Sequence, residues 1–248
     1  MVGGAPGMSG AVRLSTRAAL RAGAGIVAAC VPDSVRAEVA GGTPEVMVDG
    51  TGLDAAMRQA ARMSAVAIGP GMGRAESTGA FVRALLAGVA LPMVLDADGL
   101  WHLGDDPGAL RARPAPTVIT PHAGEAARLL GVDRAQVEAR RLEAARALAD
   151  ASGAVVLLKG PGTIICAPGD PPVVLEGGTP ALATAGSGDV LTGVVAALLA
   201  AGMPPAHAAT CGAALHARAG VLAGRGDGTI AGDIIEALPA ARVHEVAA

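Results

Sequence analysis

Ala183-Thr-Ala-Gly-Ser-Gly-Asp-Val-Leu-Thr-Gly193 is a loop of small residues that runs straight into an apolar helix read over 188–201. Glycines let a backbone come close to an anion, and the N–H groups and positive dipole end of the helix that follows attract one. Such a loop belongs at the carboxyl end of a strand in an open α/β sheet. The chain on either side agrees. Short β-like runs at 26–31, 46–48, 65–68, 93–95, 117–119, 155–158, 163–166 and 173–175 alternate with helical stretches at 9–21, 54–63, 77–87, 124–130, 134–151, 188–201, 206–222 and 233–238. This alternation is the pattern of an α/β domain with a mainly parallel central sheet. With no Ser- or Pro-rich linker, residues 1–248 read as one domain. Its opening, Met1-Val2 followed at once by the loop Gly3-Gly-Ala-Pro-Gly-Met-Ser-Gly10, leaves the expected first strand largely missing upstream of residue 1.

Composition excludes several classes. The 248 residues are 17% charged and 52% hydrophobic, enough for a substantial core. Nineteen basic against 22 acidic residues give a net charge of −3, and no basic cluster is interleaved with aromatics, so no nucleic-acid partner is expected. The longest apolar stretch, 190–203, falls short of the ~20 residues a membrane span needs, and the N-terminus has no signal-peptide pattern. Cys30, Cys166 and Cys211 are odd in number and form no C-x-x-C pair, which suits a reducing cytoplasm rather than a disulfide or zinc site. Alanine fills 58 positions, Asn and Tyr are absent, and Lys159 is the single lysine against 18 arginines. A lysine that survives such replacement either marks a place where an ammonium on a flexible stem is required or is a chance survivor.

Asp189 stands inside the anion-binding loop. A carboxylate there repels phosphate unless it takes the proton of a hydroxyl attacking a phosphoryl group; otherwise it is a first-turn acid placed by the helix dipole. Leu157-Leu-Lys-Gly-Pro-Gly-Thr163 reads as a strand ending in a tight turn, where Lys159, the turn amides and the Thr163 hydroxyl can grip a nucleotide, although a hairpin tip needs the same glycines. It is not a Walker A loop. In Ile119-Thr-Pro-His-Ala-Gly-Glu125, His122 and Glu125 share a helix face and one cleft, or serve as caps. Residues 68–74, Ile-Gly-Pro-Gly-Met-Gly-Arg, and Leu95-Asp-Ala-Asp-Gly99 also fall at strand ends. Asp96 and Asp98 read as caps, His216 as part of a packing stripe, and Trp101 with His102 as no recognisable cage.

In this order, Gly-Gly-Ala-Pro-Gly-Met-Ser-Gly-Ala, Gly-Pro-Gly-Met-Gly, Leu-Asp-Ala-Asp-Gly-Leu, Thr-Pro-His-Ala-Gly-Glu, Lys-Gly-Pro-Gly-Thr and Ala-Gly-Ser-Gly-Asp-Val-Leu-Thr-Gly make the chain resemble the ADP-dependent NAD(P)H-hydrate dehydratases from Gly3 to about Leu238. The resemblance implies a three-layer α/β/α ribokinase-like fold without a large lid. It also implies repair of the S epimer of hydrated NADH or NADPH, with ADP as phosphoryl donor and AMP and phosphate as products. Asp189 would be the general base and the amides of Gly186, Ser187 and Gly188 would stabilise the transferred group. Lys159, Gly160, Pro161, Gly162, Thr163 and Gly188 would hold the adenine nucleotide, and Ala11, Gly73, His122 and Asp189 the hydrated dinucleotide. Mg²⁺ would bridge phosphates, reached by Glu125 through water, and the protein would be a homotetramer. Where members often carry Gly-Asn-Pro, this chain has Gly178-Thr179-Pro180. The alternative reading is an ATP-dependent small-molecule kinase of the same fold, of hydroxyethylthiazole or pyrimidine kinase type; a non-catalytic nucleotide-binding protein is the rival of another class.

Overall fold

The computed structural model describes residues 1–50 and 52–242. The helices are α1 (Ser9–Arg21), α2 (Asp33–Ala40), α3 (Leu53–Ala60), α4 (Glu76–Gly88), α5 (Asp98–Trp101), α6 (Ala123–Leu130), α7 (Arg134–Ala139), α8 (Arg141–Ser152), α9 (Ser187–Ala200), α10 (Pro205–Ala223) and α11 (Ala231–Arg242). The strands are β1 (Val27–Val31), β2 (Val46–Gly50), β3 (Val66–Ile68), β4 (Met93–Leu95), β5 (Thr117–Ile119), β6 (Val155–Leu158), β7 (Thr163–Cys166) and β8 (Val173–Leu175).

β3 to β8 lie side by side in sequence order, parallel through β6 and antiparallel from β6 to β8, while β1 and β2 pair in parallel. Val2 bridges Cys30 of β1 and Ile68 of β3, so a single bridging residue joins the two groups of strands. The strands alternate their side chains between two cores, as the pleat requires. Ile68, Met93, Leu95, Ile119, Val156 and Leu158 meet α3, α4, α6 and α8 on one face. Ala67, Val94, Val118, Val155 and Leu157 meet α1, α9, α10 and α11 on the other. This is the expected three-layer α/β/α arrangement.

Three differences from the sequence reading matter. The stretch 134–151 is two helices, broken at Arg140, whose backbone leaves the helical region (φ −136°, ψ 54°). The break sets Arg141 against the β6–β7 turn, where its Nη2 donates to the carbonyls of Gly162 (3.1 Å) and Leu158 (3.4 Å). Second, α2 and the short α5 are additional helices, each carrying an acidic residue in its first turn. Third, Thr179 is a cap: its hydroxyl accepts from the Ala181 amide at 3.4 Å at the start of a 3₁₀ turn over Pro180–Ala183.

Candidate active site

The loops after β3, β4, β5 and β6 emerge on one rim of the sheet, and the N-terminus of α9 meets them there. Gly69 lets two of them touch: at φ 125°, a Cβ on it would lie 1.8 Å from the Asp96 carbonyl. The Asp96 amide in turn donates to the Ile68 carbonyl. Ala97, the one non-glycine with positive φ (47°) among the described residues, turns the chain between Asp96 and Asp98.

Asp96 is the centre of a buried network rather than a cap. It is 2% exposed; its Oδ1 lies 2.8 Å from Lys159 Nζ and its Oδ2 accepts from the Thr192 hydroxyl of α9 at 2.6 Å. Burial opposes its ionisation, but the Lys159 ammonium and these hydrogen bonds outweigh it and hold the carboxyl below the usual range. Thr120 lies close enough to Asp96 to add to this effect, yet its buried hydroxyl has no partner of ordinary hydrogen-bond geometry. Lys159 also stands 3.7 Å from Glu125 Oε2. Burial disfavours its charge, and Asp96, Glu125 and Asp189 together overcome that, so the ammonium holds its proton more tightly than an ordinary lysine.

Asp189 sits in the first turn of α9, behind Gly186, whose left-handed conformation (φ 84°) starts the helix without a side-chain cap. Its carboxyl is pushed up to about 7, chiefly by burial, then by the negative charge of Asp96; Lys159 pulls the other way. A Cβ on Gly188 would stand 3.5 Å from Lys159 Nζ, so the lysine closes on the loop. Ser187 is tied from behind, its hydroxyl 3.1 Å from His216 Nε2 in α10. Both residues are buried, and burial depresses the imidazole to about 4, leaving it neutral near pH 7. His216 therefore anchors the loop and is more than a packing residue.

His122 and Glu125 do share one cleft, and they also cap α6. His122 Nδ1 accepts from the amides of Gly124 (3.0 Å) and Glu125 (3.1 Å), while Glu125 Oε2 accepts from the His122 amide at 2.8 Å. Asp98 ties the β3 loop to the rim, accepting from the Gly73 amide at 2.9 Å and from Arg74 Nε at 3.0 Å; His102 Nε2 lies 2.9 Å from the Gly73 carbonyl. Ala11 packs near this loop, since a Cβ on Gly71 would come 2.9 Å from its own. Gly160 and Pro161 form the exposed tip of the β6–β7 hairpin, and the Thr163 hydroxyl closes it onto the Gly160 carbonyl at 3.2 Å. Trp101 is also engaged: the Arg74 and Arg128 guanidiniums lie 4.1 and 3.8 Å from its ring centroid. A groove of about 820 Å³ along α1 and residues 42–45 holds none of this chemistry.

The structure thus brings Lys159, Glu125, Gly188 and Asp189 together, with Ala11 in the first turn of α1 and Gly73 on the loop after β3. Sequence reasoning missed Arg141, Thr192 and His216. It marked Asp96 and Asp98 only through their turn, a strand end and one of the family motifs, and gave neither a role beyond a cap.

The fold and this rim define a ribokinase-like α/β protein. The NAD(P)H-hydrate dehydratase family model matches residues 1–239, and the chain belongs to that family. It is 42% identical over 96% of its length to the bifunctional NAD(P)H-hydrate repair enzyme of Moorella thermoacetica, covering 48% of that protein. The ADP-dependent (S)-NAD(P)H-hydrate dehydratase of Neisseria meningitidis is 44% identical over 98% of the chain and 82% of the relative. A solved structure of the ADP/ATP-dependent NAD(P)H-hydrate dehydratase from Bacillus subtilis, co-crystallised with ATP/Mg²⁺ and soaked with CoA, superposes with a TM-score of 0.84 at 28% identity, covering 97% of this chain and 88% of that one. The chain spans about half the length of several curated relatives it matches. Among the described residues, no helix is long and apolar enough to cross a membrane.

Proposed function

We propose that this chain is an ADP-dependent dehydratase acting on the S epimer of hydrated NADH or NADPH, working as a single domain. The observation that carries the reading is Asp189, a carboxyl with its proton affinity raised to about 7, at the N-terminus of α9 beside Lys159. A base poised near the working pH takes a hydroxyl proton efficiently. Asp189 removes the proton of the hydroxyl on the hydrated nicotinamide ring as its oxygen attacks the β-phosphorus of ADP. The bond to the bridging oxygen breaks and AMP leaves. Phosphate then departs from the ring carbon, the adjoining carbon loses a proton, and the ring double bond returns.

The amides of Gly186, Ser187 and Gly188 stabilise charge on the transferred group, in a loop that Ser187 and His216 hold in place. Lys159, Gly160, Pro161, Gly162 and Thr163 bind the adenine nucleotide, on a tip steadied by Arg141. Ala11, Gly73 and His122, with Asp189, bind the hydrated dinucleotide. No three His, Cys, Asp or Glu residues gather as a metal cage among the described residues. Glu125 would be the residue to hold a Mg²⁺ that arrives with the nucleotide, and the ion would neutralise phosphate charge. The family resemblance supports a homotetramer, and the three free cysteines suit a cytoplasmic setting.

The test is an assay of purified protein with Mg²⁺, hydrated NADPH and either ADP or ATP, following reduced-nicotinamide absorbance, AMP and phosphate. Recovery of absorbance with ADP, with AMP and phosphate formed in step, is expected. A stable phosphorylated product would turn the reading to a small-molecule kinase, and binding without turnover to a nucleotide-binding protein. Light scattering of the same preparation reads the oligomer.

A further inference from the structure

Beside the candidate substrate residues lies a cavity of about 260 Å³, walled by Arg74, Trp101, Arg128, His122 and Glu125. Its volume is below the roughly 300–1,000 Å³ typical of sites that enclose a whole drug-sized ligand, so it suits a fragment of one. Its walls are cationic. Arg74 and Arg128 both stand over the Trp101 ring, and Arg128 Nη2 donates to the Trp101 carbonyl at 2.7 Å. Arg74 is paired with Asp98, whose other oxygen accepts from the Gly73 amide, whereas Arg128 makes no ion pair among the described residues. Glu125 is engaged by the α6 cap and faces Lys159, so it does not offset the two arginines. Burial, and then the neighbouring Arg74 charge, make Arg128 easier to deprotonate than a free arginine, although Asp105 pulls the other way. Two guanidiniums stacked over one indole, only one of them ion-paired, in a cleft shared with His122, attract an anion, and a planar guanidinium matches phosphate oxygens in pairs.

We propose that Arg74 and Arg128, held in place by Trp101, form a phosphoryl-binding subsite for the dinucleotide substrate. This rests on the dehydratase reading for the identity of the ligand, but not for the existence of the site. The phosphoryl group comes either from the diphosphate bridge, present in both coenzymes, or from the 2′-phosphate that only the NADP form carries.

Trp101 is the single tryptophan of the chain and tyrosine is absent, so fluorescence excited near the red edge of indole absorption reports on this cavity alone. The full chain is titrated with NAD⁺, NADP⁺ and phosphate-free nicotinamide riboside. A saturable change with the phosphate-bearing probes and none with the riboside is expected. Arg128→Gln should raise Kd about tenfold or more, the usual worth of a charge-assisted hydrogen bond, and Arg128→Lys should recover part of the loss. Loss confined to NADP⁺ assigns the 2′-phosphate; equal loss for both assigns the bridge. Wild-type affinity in Arg128→Gln, an equal response to the riboside, or no saturable response to either dinucleotide overturns the subsite. A chain that binds in this arginine-dependent way but does not turn over hydrated NADPH keeps the subsite and loses the reaction. Turnover with affinities indifferent to Arg128 does the reverse.

Discussion

The turn after β4 holds a fully buried carboxylate and the first turn of α9 a half-buried one, and their surroundings drive the two apart. Asp96 has an ammonium at 2.8 Å and a hydroxyl at 2.6 Å, and it stays ionised. Asp189 is half-buried, has no such direct partner among the described residues, and faces the charge that Asp96 retains, so it keeps its proton to about 7. Burial acts on both in the same sense; the partner decides the outcome. One carboxylate is structural charge, and the other is left able to exchange a proton. The backbones differ as well, since Gly186 supplies positive φ at the α9 turn while Ala97 must adopt it at the β4 turn.

The largest effect breaks the comparison at its catalytic end. Asp189→Asn should lower kcat by about 10²–10⁴, the usual worth of a general base, while calorimetry finds ADP affinity nearly unchanged. The same variant has a stability signature. A carboxyl whose folded pKa is raised destabilises the fold progressively as pH climbs from about 4 to about 7. Asparagine should therefore raise the unfolding free energy by of order 2 kcal/mol at pH 8 and have little effect at pH 4. Equal loss of ADP binding would remove Asp189 from the role of base.

Lys159→Met leaves Asp96 buried without its partner and should cost about 3–5 kcal/mol in urea unfolding. Adding Asp96→Asn to that variant should return much of the loss. A single-variant cost under about 1 kcal/mol would mean that the pair does not hold the site.

The pH profile sharpens the contrast more gently. Asp189 acts when deprotonated, so kcat/KM should rise to a plateau through pH of about 7. Asp96→Asn removes a repelling charge and releases Lys159, so the midpoint should move toward acid by about one unit. A midpoint that stays in place would show that the two carboxylates are not coupled. The smallest effect is in the β4 turn: Ala97→Gly relieves the positive φ but loosens the unfolded chain, for a net gain of at most about 1 kcal/mol by thermal unfolding.

What the sequence disclosed follows the range of the interactions. The loop over residues 183–193 was legible because its meaning is local: small residues, then an apolar helix. Lys159 stood out because the chain has no other lysine. Asp96 did not, because its partners lie 63 and 96 residues away, and nothing local separates a network centre from a helix cap. His216 was hidden in an alanine-rich stripe, with Ser187 29 residues upstream. Arg141 was concealed by a helical pattern that continues across the break at Arg140. The alternation of strand and helix, by contrast, depends only on neighbours, and β4, β5, β6, β7 and β8 fall where the pattern places them.

α9 carries the loop at one end and is buried along most of its length, from Val190 to Leu199, against α1, α10, α11, β3 and β4. A helix so enclosed has no local route to opening, and its amides should exchange with solvent only when the whole domain unfolds. The loop inherits that rigidity at its anchored end. Mobility needed to admit substrate and release product must then come from the other side of the cleft, at the exposed hairpin tip. Hydrogen exchange would divide the rim into a slow wall and a fast one.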